Sequence, residues 1–299
     1  MRIHPTTPGE YDDVIDLSLR CCPQYTRPLV EGPVRDPSLS EDRTMLTASA
    51  DGRAVGFAIQ LHLVGTPAGQ YVTVVVVDPD HRGQGLGARL HAALADQLPA
   101  QVTAAMAQVD DADEQALAVA QHWGYQVMQR SITSQLDLVD LPAVELPEGV
   151  TVQPSPRLSF DDEAAVEAMY DASQTNPERE HAGVSTLATL RAYASAEGAE
   201  RPVAVVVRDH GRPVALSYGI VHGDVAQVVY TGVDPAHRGR ALGALAKACL
   251  HAQAAAVGAT VAITNNEEHN VGIRHVNDTL GYRRTSGVYW LRKDFPVSS

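Results

Sequence analysis

Residues 77–94 read VDPDHRGQGLGARLHAAL, and residues 233–250 read VDPAHRGRALGALAKACL. Aligned without gaps at an offset of 156, 11 of the 18 positions are identical. Other landmarks recur at nearly the same offset. Asp51-Gly52-Arg53 precedes an apolar run as His210-Gly211-Arg212 does later, and Trp123-Gly124-Tyr125 is answered by Leu280-Gly281-Tyr282. The period is that of a whole domain, not of a short solenoid unit, so the chain is a duplicated domain. At 299 residues it accommodates two domains of about 150 residues each. Pro142, Pro147, Pro154 and Pro156 mark a linker. The expected division is an N-terminal domain over 1–140, a linker over 141–149 and a C-terminal domain over 150–299.

Each half predicts an α+β fold, a mixed sheet flanked by helices. In the first half the strands are MRIHP, a hairpin of 44–50 and 54–64 about the Asp51-Gly52 turn, the β-branched run 71–77, and 102–108. Helical spacing falls over 10–20, 85–97 and 113–122, and closing strands run from Tyr125 to Leu138. The second half predicts strands 150–153, 203–208, 213–222, 225–233 and 260–264. Its helices fall within 160–173, 184–195, 241–257 and 270–280, with closing strands through Trp290.

Composition narrows the partners. The net charge of −13 and pI near 5.3 argue against nucleic acid or an anionic membrane. Cys21, Cys22 and Cys249 make neither a disulfide framework nor a zinc knuckle. His4, His91, His122, His251 and His275 are too scattered for a metal set. With no signal-like start and no run long enough to span a bilayer, a cytoplasmic protein is expected.

The chemistry centres on Arg82-Gly83-Gln84-Gly85-Leu86-Gly87, between a β-run and a helical run. A tight strand-to-helix turn aims backbone N–H groups and the helix dipole at one point, and glycines let an anion come close. The bound group is therefore a phosphate or pyrophosphate. A Rossmann fingerprint requires G-x-G-x-x-G, whereas Gly83, Gly85 and Gly87 alternate; a P-loop requires Gly-Lys-Ser/Thr, which is absent. The pattern R-x-x-G-x-G, preceded by V-D-P-x-H-R-G, resembles motif A of the GCN5-related N-acetyltransferases (GNAT). The second copy, in register, extends that resemblance to nearly the whole chain. The general architecture is similar to the mycothiol synthase-like tandem branch. Thr231, His237-Arg238-Gly239, Leu242-Gly243, Lys247, Thr264, Asn266, Asn270 and VNDTLGY at 276–282 look like the C-terminal half of an actinobacterial-type tandem GNAT branch.

The resemblance implies two GNAT domains binding acetyl-CoA without a metal. Val75, Val76 and Val77 would line a wedge for the pantetheine arm. Arg82, Gly83, Gln84, Gly85, Leu86, Gly87 and Ala88 would bracket the pyrophosphate. The second half's counterparts are Thr231, Gly232 and Val233, then Arg238, Gly239, Arg240, Ala241, Leu242, Gly243 and Ala244, with Asn270 as a further contact. Ala241 stands where Gly85 stands, at an expected first helical turn where it crowds the phosphate. His81 and His237 read as supports of the turn, and Lys247 as a solvated side chain or a phosphate contact.

Acyl transfer to an amine requires a base and a stabilised oxyanion. The family's carboxylate position holds Gln227 in one half and Tyr71 in the other; its tyrosine acid position holds Asn277 and Ala120. Replacement candidates are Glu267, Glu268, His269, Tyr230 and Tyr282 in the second half and His62 and Asp110 in the first. The expected activity is acetyl transfer from acetyl-CoA to a small amine, the alternative a non-catalytic acyl-CoA-binding sensor or scaffold. Asp161, Asp162, Glu163, Glu178 and Glu180 would suit a cationic acceptor such as a polyamine, aminoglycoside or amino sugar.

Overall fold

The computed structural model describes residues 1–22, 27–63, 66–174, 186–188, 190–191 and 201–295. Two compact units emerge: Met1–Arg130 with Val288–Ser299, and Ser131–Gly287. This division differs from the expected domains over 1–140 and 150–299 in where residues 131–140 and 288–299 fall.

In the first unit, strands β1 (Arg2–Pro5), β2 (Ser40–Ala50), β3 (Arg53–Leu63), β4 (Gln70–Val77) and β5 (Ala104–Asp110) lie in sequence order across the sheet. Only β4–β5 is parallel among them. The hairpin turn has Asp51 at φ 51° and Gly52 at φ 76°, the pair of left-handed residues that a two-residue β-turn demands. Helices α1 (Tyr11–Cys21) and α2 (Arg27–Arg35) precede β2, and α2, which carries Pro33, escaped the sequence reading. Helices α3 (Leu86–Ala95) and α4 (Glu114–His122) flank β5 in the chain. Alternation along β3 separates two cores. Phe57, Ile59 and Leu61 meet Val14, Ile15 and Leu17 of α1, whereas Ala58, together with Val55 at the register shift opposite Ala48 and Ser49, meets Leu86, Leu90 and Leu94 of α3.

The second unit repeats this plan with β7 (Val150–Pro154), β8 (Arg201–Asp209), β9 (Arg212–His222), β10 (Val225–Val233) and β11 (Val261–Glu267). Its β10–β11 pair is parallel. His210 at φ 46° and Gly211 at φ 83° reproduce the earlier turn. Helix α5 (Glu163–Ser173) covers one face through Val166, Met169 and Tyr170; α6 (Leu242–Ala256) covers the other through Leu242, Ala246, Leu250 and Ala254. Helix α7 (Val271–Thr279) follows β11. The helix expected over 184–195 lies largely outside the described residues.

The closing strands do not stay with the halves that encode them. β6 (Gln126–Asp137) sends residues 131–137 to the second unit, where they pair antiparallel with β11. β12 (Arg283–Asp294) sends residues 288–294 to the first, where they pair antiparallel with β5. Among the described residues no helix is long and apolar enough to cross a membrane.

Candidate functional site

In both units a parallel ladder stops short and the strands part beside a strand-to-helix loop. Between β4 and β5 the register is Gln70↔Ala104, Tyr71↔Ala105 and Val72↔Met106, and ends there. Residues 73–77 remain paired to β3 on their other edge, so their inner backbone edge is left for another partner. Val75, Val76 and Val77 lie in this segment; Val76 packs toward α1, and Val75 and Val77 toward α3. Between β10 and β11 the ladder runs from Val225↔Val261 to Val228↔Thr264 and stops. A bulge between Val228 and Tyr230 re-aims the strand before Thr231, Gly232 and Val233. Thr231 Oγ1 lies 2.9 Å from Ser217 Oγ. A Cβ on Gly232 would overlap the Tyr230 hydroxyl and crowd Ser173 Oγ, which hydrogen-bonds that hydroxyl.

The loop after each strand is built the same way. Asp78 Oδ1 accepts from Asp80 N–H at 3.0 Å, and Asp234 Oδ1 from Ala236 N–H at 2.8 Å, each closing a 3-10 turn. The Asp80 N–H is the main cause holding Asp78 below the usual carboxylate range. Burial raises Asp234, yet the Ala236 N–H and His237 outweigh it and hold the carboxyl low. His81 and His237 bring Nδ1 to 3.7 and 3.5 Å from these aspartates, with no hydrogen-bond partner on that nitrogen among the described residues.

Gly83 and Gly85 sit at φ 73° and 74°, with nothing within 4 Å of where a Cβ would project. Gly85 caps α3 without a side chain, so the first-turn N–H groups of Leu86, Gly87 and Ala88 face outward uncapped. In the second unit Gly239 has φ 77°, and Ala241 adopts φ 56°, ψ 12° as the cap of α6. This corrects the sequence expectation: Ala241 stands before the helix, in the left-handed conformation of Gly85. An alanine holds that conformation at a cost of about 1–2 kcal/mol. The strain preserves the same presentation of backbone amides, now from Leu242, Gly243 and Ala244.

The loop arginines differ between units. Arg82 Nε donates to Val77 O at 3.1 Å. Arg238 Nη2 donates to Ser173 O at 3.2 Å, and Arg240 Nη1 to Asp209 Oδ2 at 2.6 Å, so Arg240 is neutralised within its own unit.

Behind the second loop the expected role of Lys247 is overturned. Its side chain is fully buried, neither a solvated group nor a phosphate contact. Nζ donates to Asn277 Oδ1 at 2.6 Å and lies 4.3 Å from the centre of the Tyr282 ring. Burial pushes the amine down to about 7. Asn277, at the family's acid position, donates from Nδ2 to Asn266 Oδ1 at 2.6 Å. Tyr282, proposed from sequence as catalytic, is buried with its hydroxyl 2.8 Å from His251 Nε2; burial raises the phenol and lowers the imidazole to about 3. It is a core residue. A lysine on a helix reads as surface, so only the polar Asn266, Asn277 and Lys247 together could have signalled this network.

Alternation along β11 places Asn266, with buried Ala262 and Thr264, toward α6 and α7, and Glu267 on the opposite side with Tyr230. Among the described residues Glu267 has no side-chain partner. Arg274 Nη1 donates to Glu268 O at 2.9 Å. His269 is exposed. Asn270 caps α7, its side chain accepting from Ile273 N–H at 3.2 Å.

In the first unit Asp110 caps a turn through Ala112 N–H, and His62 lies near Pro67 O and the Tyr71 ring. Asp162 binds Arg208 through two 2.6 Å contacts and Glu163 binds Arg191 at 2.5 Å, so neither is offered to a cationic acceptor. Glu178 and Glu180 lie outside the described residues.

Two parted parallel ladders, each beside an uncapped helix N-terminus, define an acyltransferase-type fold. Residues 11–125 match the "Acetyltransferase (GNAT) family" and residues 150–262 the "Acetyltransferase (GNAT) domain". The chain belongs to the GNAT acetyltransferase family and carries two such domains in tandem. No curated protein matches it in sequence. Among solved structures it resembles a GNAT from Sphaerobacter thermophilus at 18% identity and TM-score 0.73, over 98% of this chain and 95% of that one. A tandem GNAT protein of the clavulanic acid biosynthesis pathway matches at 18% identity and TM-score 0.74, over 100% and 99%. A fungal glucosamine N-acetyltransferase region gives 15% identity and TM-score 0.71, over 97% of this chain and 38% of that one.

Proposed function

We propose that the chain transfers an acyl group from an acyl-coenzyme A, with acetyl-CoA the donor, to the amine of a small molecule. The observation that carries this reading is the repeated site. Each parallel ladder opens beside a left-handed loop, and the second loop keeps that form with a strained alanine. The residues fit the group: uncapped first-turn amides suit a pyrophosphate, and the inner edges of 73–77 and 229–233 suit an amide-bearing arm. Acyl-CoA supplies an acyl group activated as a thioester.

The chain supplies binding, orientation and a base. Glu267, at the end of β11 and on the side away from α6, takes the proton of the incoming amine, directly or through water. Tyr230, tied to Ser173, shapes the same side over Gly232. The free cysteines fit a reducing cytoplasm. The burial of Asn277 against Lys247 at the family's acid position favours a second reading, binding without turnover.

The deciding experiment follows thiol release from acetyl-CoA with a panel of small primary amines. Turnover that falls about 100-fold in Glu267→Gln, with acetyl-CoA affinity unchanged, supports the assignment. Binding without turnover for any amine supports the sensor or scaffold.

A further inference from the structure

We propose that Lys247 is a positioning residue: through Asn277 it fixes the Asn266 amide so that Nδ2 of Asn266 donates to the arm of an acyl-CoA in the wedge of the second unit. This rests on the acyl-CoA reading above.

The argument is one of hydrogen-bond polarity. An ammonium has three donors and no acceptor, so the Asn277 oxygen must face Lys247 Nζ, as it does at 2.6 Å. That leaves Asn277 Nδ2 to face Asn266, which must present its oxygen, again at 2.6 Å. The one remaining polar group of Asn266, its Nδ2, therefore points away from the buried pair. Among the described residues it has no acceptor. Asn266 lies beyond Thr264, the last residue of β11 paired to β10, so its side chain stands where the two strands have parted. A neutral Lys247 amine can still donate to the same oxygen, and the ammonium form is the one that enforces the order.

The first unit lacks this device. The repeat places His91 opposite Lys247 and Ala120 opposite Asn277, and His91 stacks on Trp123 at 4.4 Å instead. Burying an amine without an ion-pair partner is costly. A chain that keeps one, aligned through two amides to the mouth of the wedge, gains orientation from it. Thioester and pantetheine carbonyls are acceptors of the matching chemistry.

The test titrates the full-length chain carrying Ala88→Glu, which blocks the first loop. The probes are coenzyme A and adenosine 3′,5′-bisphosphate, which reports the nucleotide end without the arm. Lys247→Met retains the volume and removes the donor. Asn266→Asp, at a half-buried strand end, retains the shape and removes the Nδ2 donor. Each should weaken coenzyme A by roughly threefold to tenfold, the worth of one hydrogen bond, and leave the bisphosphate unchanged. The double variant should lose no more than either single one, since both break one relay. Equal loss for both probes, additive loss, or no loss in Asn266→Asp overturns the proposal; Asn266→Asp decides it even if Lys247→Met does not fold. A folded parent that binds neither probe removes the coenzyme site of the second unit, and a folded native chain that binds neither removes the acyl-CoA reading itself. Binding of both probes, insensitive to these substitutions, removes only the relay.

Discussion

Replacing Ala241 by glycine should make the protein more stable although no contact is gained. Ala241 holds φ 56° and its side chain is exposed, so the Cβ contributes strain rather than packing. Relieving a left-handed alanine returns about 1–2 kcal/mol. Glycine loosens the unfolded chain and takes back about 0.4–1 kcal/mol. The expected net gain is about 0.5–1 kcal/mol, with the reverse sign and similar size for Gly85→Ala at φ 74°. Urea denaturation of the three proteins measures this. The midpoint should rise for Ala241→Gly and fall for Gly85→Ala, with the slope unchanged. A lower midpoint for Ala241→Gly would show that the alanine is packed and unstrained, and would remove the argument that the second loop conserves its shape at a cost.

Two further outcomes follow from burial and topology. The folded Lys247 amine titrates near 7 and an unfolded lysine near 10.4, so the unfolded state binds more protons between these values and stability rises with pH across them. The stability difference between the native chain and Lys247→Met should therefore change by a few kcal/mol from pH 7 to 10; a constant difference contradicts the buried, unpaired amine. A fragment ending at residue 145 lacks residues 288–294, leaving β5 without its antiparallel neighbour. Size-exclusion chromatography should show aggregate, and a well-behaved monomer would contradict the strand exchange.

The repeat, the turns at Asp51-Gly52 and His210-Gly211 and the run at 225–233 were legible because local chemistry decides them. Left-handed turn residues and β-branched runs have few other uses. Strand exchange was not legible, because β6 and β12 have the same alternating pattern whichever strand they pair with. Lys247 was misread since helical spacing alone does not reveal a polar partner on another element. Tyr282 was misread because a phenol near a motif looks the same in sequence whether it is exposed or sealed against His251. Ala241 needed the backbone angle: the repeat aligns it with Gly85, but the letter gives no sign that it keeps the left-handed conformation.

The central claim is that each unit presents a coenzyme site at its loop. Calorimetric titration with acetyl-CoA of the native chain, Ala88→Glu and Ala244→Glu tests it most directly, since both substitutions place a carboxylate in an ordinary first helical turn. The account predicts two equivalents bound by the native chain and one by each variant. A folded native chain that binds none would contradict it.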